Sequence, residues 1–389
     1  MYSGKTLAVI GASYLQLPLV QKARELGVRT LCFAWQEGAV CREIADIFFP
    51  VSILEKEEIL AICRREKIDG ITTIASDAAV PTVNFVAEKL QLPGNSILSG
   101  KLSTDKFAMR QALRAAGVNC PDFSLIRSPQ EALAAAEKIQ YPVILKPCDR
   151  SGSLGVTRVL SPGALPDAVS TALNASFTHT GILERWVDFV REISVEGISH
   201  NGIYHPLAIT AKVTSGPPHY VELGHHQPAG LPPELEKEVL RQVRLGVEAL
   251  QITCGASHAE LMITRDGNVF VTEIGARMGG DFIGSDLVEL STGYDFLRGV
   301  IECAFGTFSG IRQRCKKAAG VWFYTCHTPG VKTLLDHRDQ HPYILQGEYD
   351  SNAELPPLTR SADRSGYMIY QVPEDDAILP QLRSIRCVS

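Results

Sequence analysis

Residues 255–281, which read GASHAELMITRDGNVFVTEIGARMGGD, constrain the fold of this chain more than any other stretch. Two alternating apolar runs flank Asp266-Gly267, a pair that is typical of a two-residue β-hairpin turn. With that turn, Glu260 lies directly opposite Glu273. Side-chain alternation predicts further residues on the same face, namely His258, Met262, Val271, Gly275 and Arg277.

Two carboxylates on one face of a hairpin repel each other, so something should neutralise Glu260 and Glu273. Exposure to solvent is one alternative, although the strongly apolar flanking strands disfavour it. Neutralisation by Arg277 alone is a second. Mg²⁺ binds through one or two carboxylates together with substrate phosphates. We therefore expect a site for one or two Mg²⁺ ions, or for Mn²⁺ in their place.

A second informative stretch is ILKPCDRSGSLGV, residues 144–156. Lys146 ends an apolar run, and a loop with two serines and two glycines follows it. Glycines permit positive φ and close backbone approach, so such a loop suits phosphate oxygens. It is not a P-loop, because the lysine precedes the glycines. An ordinary Gly/Ser hairpin loop is the alternative that this stretch alone leaves open.

The first ninety residues alternate apolar strand-like runs with amphipathic helical stretches, a pattern that predicts a doubly wound parallel sheet. The dinucleotide fingerprint GxGxxG is absent, because Gly11-Ala12-Ser13-Tyr14 follows the first strand. The second strand ends in Trp35 without an acid for a ribose hydroxyl. NAD binding is therefore disfavoured, while a small-molecule role for this sheet edge remains open.

Composition narrows the partners and the compartment. The 389 residues carry a formal net charge of −5 and no basic block, which argues against nucleic acid and anionic membranes as partners. No apolar stretch approaches the length of a membrane span, and no cleavable signal pattern is visible at the N-terminus. None of the ten cysteines forms a CxxC pair. We expect a cytoplasmic protein with reduced thiols.

With its glycine-rich loop, paired acids and nearby Arg277, the chain resembles the ATP-grasp enzymes over roughly residues 5–305. Within that family it is similar to the carboxylate–amine ligases related to biotin carboxylase, glycinamide ribonucleotide synthetase and the L-amino acid ligases. The resemblance implies a fold that combines α/β and α+β parts, and it favours a homodimer. The implied domains are an N-terminal Rossmann-like pre-ATP-grasp domain (1–95), an ATP-grasp domain (96–305) with a mobile lid (about 121–186), and a C-terminal part that completes the core (306–389).

The resemblance also implies which residues bind ATP. Lys106 and Lys146 match lysines that contact the phosphates, and Glu184 matches the acceptor of the adenine amino group. For Lys106 and Lys146 the alternative is a solvated surface position. For Glu184 and Glu192 the alternative is a structural salt bridge. The other implied nucleotide contacts are the backbone around Trp186 and Val187 for the purine edge, Glu192 for the ribose, and a flap made of Ser151, Gly152, Ser153, Gly155 and Val156 over the β- and γ-phosphates.

Glu260 and Glu273 match the magnesium-binding acids of the family, and Arg277 matches the catalytic arginine that meets the reacting carboxylate. The family often has the pattern ExNxR. In this chain Gly275 replaces the asparagine, which puts the geometry of a second magnesium ion in doubt.

The implied reaction joins a small-molecule carboxylate to an amine through an acyl phosphate, with release of ADP and phosphate. Glu222, His225 and His226 lie in a stretch that borders the substrate pocket in the family, and an amino acid is the favoured substrate. A core or surface position is the alternative for either histidine. The rival functions are a purine-pathway ligase, a biotin carboxylase-like carboxylase that uses a separate carrier, and a non-catalytic nucleotide-binding module.

Overall fold

The computed structural model describes residues 2–152, 154–351 and 355–385, and its strands form three sheets. The sheets contain four, eight and four strands. Within the described residues, no helix combines the length and the apolar character that crossing a membrane requires.

The N-terminal sheet is parallel, with the strand order β3-β2-β1-β4, which confirms the doubly wound arrangement. The short strand β3 was not anticipated, because its three residues give no measurable alternation. The elements are β1 (Thr6–Ile10), α1 (Leu17–Glu25), β2 (Arg29–Phe33), β3 (Ile47–Phe49), α2 (Lys56–Glu66), β4 (Gly70–Thr72) and α3 (Val80–Leu90).

Two helices lead from this sheet to the next, α4 (Ile97–Thr104) and α5 (Lys106–Ala115). Neither Ser103 nor Thr104 is the N-cap of α5, because both belong to the last turn of α4. Asp105 adopts an extended conformation between the two helices, and its side chain accepts a hydrogen bond from the Ala108 N–H. Asp105 is thus the N-cap of α5, which fixes Lys106 in the first helical turn.

The second sheet is an antiparallel four-stranded sheet with the order β5-β8-β6-β7, which we call the lid sheet. Two helices pack on it, and Leu145, Val159, Leu183 and Val169 belong to its separate apolar core. Its elements are β5 (Phe123–Ile126), α6 (Pro129–Ile139), β6 (Val143–Pro147), β7 (Thr157–Val159), α7 (Leu165–Ala175) and β8 (Gly181–Arg185).

The third and largest sheet is antiparallel, with the order β13-β12-β9-β10-β11-β14-β16-β15. Three strands from the last eighty residues extend it, so this part of the chain completes the sheet. The strands are β9 (Phe189–His200), β10 (Ile203–Thr214), β11 (Glu222–Gln227), β12 (Gly255–Thr264), β13 (Val269–Gly275), β14 (Lys317–Phe323), β15 (Ile344–Tyr349) and β16 (Gly366–Pro373).

The helices around the large sheet are α8 (Pro233–Ala249), α9 (Val288–Thr292), α10 (Phe296–Ala304), α11 (Gly330–Asp336) and α12 (Leu379–Leu382). The helical segment within residues 285–305 is not continuous. It is interrupted because Gly293 adopts a positive φ of 72°, which ends α9, and Asp295 then caps α10.

The hairpin between β12 and β13 pairs Glu260 with Glu273 as expected, but it reaches this pairing by a different route. The turn has three residues rather than two, because Thr264 pairs with Asn268 through its backbone N–H. A bulge at Thr272 then restores the register before Glu273.

The bulge also corrects one predicted side-chain direction. Val271 pairs with Leu261 rather than with Met262. It therefore lies on the apolar core face of the hairpin, where it is fully buried, and not on the face of the two carboxylates.

Candidate active site

Glu260 and Glu273 lie side by side on one face of the large sheet, each beside a lysine. Glu260 Oε1 is 2.7 Å from Lys212 Nζ, and Glu273 Oε2 is 3.3 Å from Lys106 Nζ. His258 Nε2 adds a weaker contact with Glu260 at 3.4 Å. Burial opposes the ionisation of Glu260, yet Lys212 and His258 hold its pKa well below the usual range.

Lys212 is a site residue that the sequence analysis missed. It lies on β10, it is almost fully buried, and its Nζ is also 2.9 Å from Glu192 Oε1 and 3.6 Å from Glu222 Oε1. The Lys212 ammonium group thus contacts three carboxylates from three strands. The sequence signal that could have found it was the same as for Lys146, a lysine that ends an apolar run, here ITAK.

Lys106 connects α5 to the glycine-rich loop, which we define as residues 149–156. Its Nζ donates to the Arg150 carbonyl at 2.7 Å, and its backbone N–H donates to the Cys148 carbonyl. Burial would lower the pKa of Lys106, but Glu273 and Asp77 raise it above the ordinary value. Lys106 is therefore a buried cation between the loop and the paired acids.

Lys146 and Glu184 lie diagonally across neighbouring strands of the lid sheet, with Lys146 Nζ 2.8 Å from Glu184 Oε2. The other oxygen of Glu184 lies 2.6 Å from Arg110 Nε, and both partners in this second pair are buried. Burial raises the pKa of Glu184, but the two cations outweigh it and lower the pKa to about 2. In this conformation both oxygens of Glu184 therefore have cationic partners, while its contact with adenine stays a prediction.

The glycine-rich loop has two positive-φ glycines, Gly152 at 65° and Gly155 at 73°. A Cβ on Gly155 would lie 2.7 Å from the Ala175 Cβ and 2.9 Å from the Pro147 Cγ, so only glycine fits there. Ser151 and Gly152 are exposed, and Val156 is half-buried. Ser153, which was also expected in this loop, lies outside the described residues.

A separate cavity of about 430 Å³ includes two of the residues expected to bind adenosine, Trp186 and Glu192. Aromatic rings surround it, with Trp186 5.8 Å from Tyr220 between ring centroids and Arg158 stacked over Trp186 at 4.0 Å. The neighbouring Val187 is buried. Flat rings beside the half-buried acid Glu192 suit a purine and a ribose.

Arg277 and Asp77 form a two-point ion pair, with Nε 2.9 Å from Oδ1 and Nη2 2.8 Å from Oδ2. Asp77 follows β4 of the N-terminal sheet, 200 positions from its partner. A Cβ on Gly275 would lie only 2.6 Å from the Asp77 Oδ1. Because glycine has no Cβ, the space beside residue 275 is available to the Asp77 carboxylate.

His258 is a buried histidine of the site whose chemistry was not anticipated. Its Nδ1 makes a very short contact with Glu196 Oε1, and Glu196 also accepts from the Gly279 N–H at 3.0 Å. Burial would lower the pKa of His258, but Glu196 raises it to about 9. A Cβ on Gly279 would lie 2.8 Å from the His258 ring, so the backbone at Gly279 packs directly against the His258–Glu196 pair.

Of the three expected substrate residues, Glu222 and His225 lie on the site face of the large sheet. Glu222 Oε2 is 3.1 Å from Nη2 of Arg364, a residue that the sequence analysis missed, and Arg364 also contacts Asp281 at 2.6 Å. His225 is buried, and neither ring nitrogen has a hydrogen-bond partner among the described residues. Burial holds the pKa of His225 well below its ordinary value.

The placement of His226 corrects the expectation of a substrate contact. His226 points to the other face of the large sheet, where its ring packs 4.9 Å from the Trp322 ring and Nδ1 contacts the Tyr370 hydroxyl at 3.0 Å. Burial, together with the charge of Arg383, lowers the pKa of His226 to about 3. It is a neutral core residue.

The acids of the site fit Mg²⁺ in one specific way. The described residues contain no group of three or more His, Cys, Asp or Glu side chains that could hold a metal without other ligands. Two neighbouring carboxylates, Glu260 and Glu273, remain on a polar, partly exposed face. Mg²⁺ takes such pairs when substrate phosphates and water supply its other oxygens.

Comparison with known proteins identifies an ATP-grasp domain over residues 139–286. The chain is 25% identical over 245 residues to the alanine–anticapsin ligase of Bacillus subtilis, a match that covers 58% of this chain and 51% of that ligase. It is 23% identical over 294 residues to the N5-carboxyaminoimidazole ribonucleotide synthase of the same species, with 71% and 70% covered. The chain thus spans about half the length of the first of these relatives.

Among solved structures, the L-amino acid ligase of Bacillus licheniformis is 24% identical and has a TM-score of 0.80, with 99% of this chain and 98% of that chain covered. The N5-carboxyaminoimidazole synthetase of Staphylococcus aureus in complex with ADP is 16% identical and also has a TM-score of 0.80, with 99% and 98% covered. These likenesses establish the shared fold of all three sheets.

Proposed function

Since the chain contains an ATP-grasp domain, we propose that this protein is an ATP-dependent, ADP-forming ligase that joins a carboxylate to an amine. One observation carries the proposal. Glu260 and Glu273 share a face with the buried cations Lys106 and Lys212, and Lys106 contacts the backbone of the glycine-rich loop. Paired acids for a divalent cation and lysines for phosphates are the groups that phosphoryl transfer requires.

In the first step, an oxygen of the substrate carboxylate attacks the γ-phosphorus of ATP, and the bond from that phosphorus to the β-phosphate oxygen breaks. ADP leaves and an acyl phosphate remains. Lys106 and Lys146 would orient the phosphates, while Arg277 would neutralise the reacting carboxylate. Mg²⁺ held by Glu260 and Glu273 would offset the charge of the triphosphate.

In the second step, the amine nitrogen attacks the acyl carbon, and the bond from that carbon to the phosphate oxygen breaks. The amine loses a proton to the departing phosphate or to water, and an amide results. An acyl phosphate hydrolyses readily, so water must be excluded until the amine arrives. We propose that the lid sheet, with the glycine-rich loop at its edge, closes over the site for this purpose.

Two relatives support an amino acid as one substrate. Their names state an alanine–anticapsin ligase and an L-amino acid ligase, and the latter resembles this chain over nearly its whole length. The N5-carboxyaminoimidazole ribonucleotide synthases support the rival purine-pathway function. A carboxylase and a non-catalytic nucleotide-binding module are two further rival functions, and the homodimer and the domain boundaries stay predictions.

The decisive experiment measures ADP and phosphate release with Mg-ATP and an array of single amino acids and pairs. Hydroxylamine in a parallel reaction converts an acyl phosphate into a stable hydroxamate. A ligase should release ADP only with particular substrates and should yield the hydroxamate of the activated one. Release of ADP with bicarbonate instead would favour the carboxylase, whereas ATP binding without any turnover would favour the non-catalytic module.

The matched variants for this experiment are Glu273→Gln and Glu234→Gln. Glu273 contacts Lys106, whereas Glu234 is an exposed glutamate at the start of α8. Glu273→Gln should abolish phosphate release, because the neutral amide is a poor ligand for Mg²⁺. Glu234→Gln should retain it. Equal activity in the two variants would contradict the assigned role of Glu273.

A further inference from the structure

A cavity of about 440 Å³ lies between the carboxyl edge of the N-terminal sheet and the lid sheet, and we call it the N-terminal cavity. Loops that follow β1, β2, β3 and β4 form one wall. Residues 149–151, Leu154 and Phe177 form the opposite wall. This volume is within the range of small-molecule sites.

The walls of the N-terminal cavity are unusually apolar for an exposed surface. Trp35 and Leu54 from the N-terminal sheet leave 72% and 52% of their surface exposed, and Leu154 and Phe177 from the lid side leave 54% and 61%. Exposing large apolar side chains to water is energetically unfavourable. Such a cluster of exposed apolar side chains indicates a surface that becomes buried when a ligand binds.

Three polar groups of the cavity, those of Ser13, Asp149 and Arg150, have partners within the protein. The Ser13 hydroxyl donates to Gln16, and Asp149 accepts from Thr178. The Arg150 guanidinium stacks over Phe177 at 3.6 Å and donates to the Ala175 carbonyl.

The charge of the cavity disfavours an anionic ligand. Among its described lining residues, Arg150 is the only cation, and it is accompanied by the acids Asp149 and Glu37. A phosphoribosyl substrate would need cations for its phosphate, and the one that is present is already stacked on Phe177.

The N-terminal cavity also adjoins the proposed reaction centre. Ser76 and Ala78 line it, and Asp77 between them holds Arg277. Ala75, which also lines the cavity, fills the space beside Gly280. Its Cβ lies 3.1 Å from the position that a Cβ on Gly280 would take. The cavity and the Asp77–Arg277 pair are therefore neighbours along residues 76–78.

We propose that the N-terminal cavity binds the bulky apolar side chain of an amino acid substrate. This inference rests on the proposed ligase function and gives it a substrate class. The apolar walls provide the binding energy, and their contact with the ligand also joins the N-terminal sheet to the glycine-rich loop. The same lining disfavours phosphoribosyl amines.

The test compares kcat/KM for phosphate release across alanine, norvaline, leucine, methionine and phenylalanine, with aspartate and lysine as charged competitors. An apolar pocket discriminates by about tenfold or more for each methylene that it buries. We expect kcat/KM to rise at least about tenfold from alanine to the best bulky apolar amino acid. A preference for alanine, for a charged amino acid or for a phosphoribosyl amine would overturn the inference while leaving the ligase function intact.

Two variants assign any preference to this cavity. Ala78→Leu adds three carbons to its wall, and Ala134→Leu makes the same change on the exposed face of α6. Ala78→Leu should reduce kcat/KM for the bulky amino acid at least about tenfold relative to alanine, whereas Ala134→Leu should keep the wild-type ratio. An unchanged ratio in Ala78→Leu would overturn the proposal.

Trp35→Ala provides a readout that does not depend on a well-folded Ala78→Leu. Trp35 is exposed, so its removal should leave the thermal midpoint almost unchanged while KM for the bulky amino acid rises several-fold. If KM does not change, Trp35 does not contact the ligand and the proposal fails. If no carboxylate supports phosphate release, the ligase function itself fails, and the amino acid array distinguishes this outcome from a wrong substrate class.

Discussion

Asp77 and Arg277 follow strands of two different sheets and form an ion pair, with both carboxylate oxygens within 2.9 Å of the guanidinium. Burial raises the pKa of Asp77, but Arg277 lowers it below the ordinary value, so the pair is ionised. The chain segments on either side run alongside each other, since Ile74 bridges to Met278 and the Ala75 N–H donates to the Met278 carbonyl. The N-terminal sheet therefore orients the proposed catalytic arginine.

Gly275→Asn should disrupt this pair, because its Cβ would lie 2.6 Å from Asp77 Oδ1. We expect kcat to fall about 100-fold, the effect of a reacting group displaced by about 1 Å. The double variant Gly275→Asn with Asp77→Ala removes the collision and should recover part of kcat. Phosphate-release kinetics on both variants measure this, and additive losses would show that position 275 and Asp77 are independent.

Glu184→Gln should leave Arg110 buried without its full counter-charge. Breaking a buried ion pair costs about 3–5 kcal/mol, so urea denaturation should show a loss of this size. The pKa of Glu184 is lowered to about 2 in the folded protein, from an ordinary value of 4.5.

The stabilisation by Glu184 is therefore complete above about pH 4.5 and is lost as the pH falls toward 2. The free-energy difference between wild type and Glu184→Gln should narrow over this interval. Glu137→Gln, an exposed change on the same subdomain, provides the control and should follow the wild type at every pH. A constant difference between wild type and Glu184→Gln would contradict an ionised Glu184.

Lys212→Met should leave Glu192, Glu222 and Glu260 without their shared cation. We expect a loss of about 3–5 kcal/mol in the absence of metal. Mg²⁺ should then raise the thermal midpoint of the variant more than that of the wild type, because the cation can replace the missing charge. Melting curves with and without Mg²⁺ test this, with the exposed change Lys237→Met as the control.

Gly155→Ala and Gly152→Ala should differ although both glycines have positive φ. The left-handed conformation costs either alanine about 1–2 kcal/mol. At Gly155 the new Cβ also meets Ala175 at 2.7 Å, which adds about 1–3 kcal/mol of overpacking, whereas a Cβ on Gly152 would have no neighbour within 4 Å among the described residues. Urea denaturation of the two variants should show the larger loss for Gly155→Ala, and equal losses would contradict the close packing under the loop.

The pairing of Glu260 with Glu273 was predictable from the sequence although the turn was not. Asp266-Gly267 suggested a two-residue turn, and the structure has a three-residue turn followed by a bulge at Thr272. The two deviations cancel before Glu273, because each shifts the register by one residue in the opposite direction. Val271 lies between them and is the residue whose predicted face was wrong.

Arg364 and Asp77 gave no usable local signal, and the signal for Lys212 did not reveal its partners. Arg364 lies in a segment without apolar periodicity, and its role depends on contacts with Glu222 and Asp281, 142 and 83 positions away. Asp77 follows a three-residue strand and has no pattern that connects it to Arg277. Lys212 ends an apolar run, but its three carboxylate partners come from three different strands.

The sequence by itself determined the parallel N-terminal sheet, the glycine-rich loop and the acidic face of the hairpin, because each depends on residues that are close along the chain. Helix and strand periodicity and positive-φ glycines act over such short separations. Only the tertiary structure decided that Asp77 fills the space above Gly275, that Lys212 neutralises Glu260, and that His226 is a core residue. These outcomes depend on how the sheets pack together, since side chains far apart in the chain interact only after that packing brings them into contact.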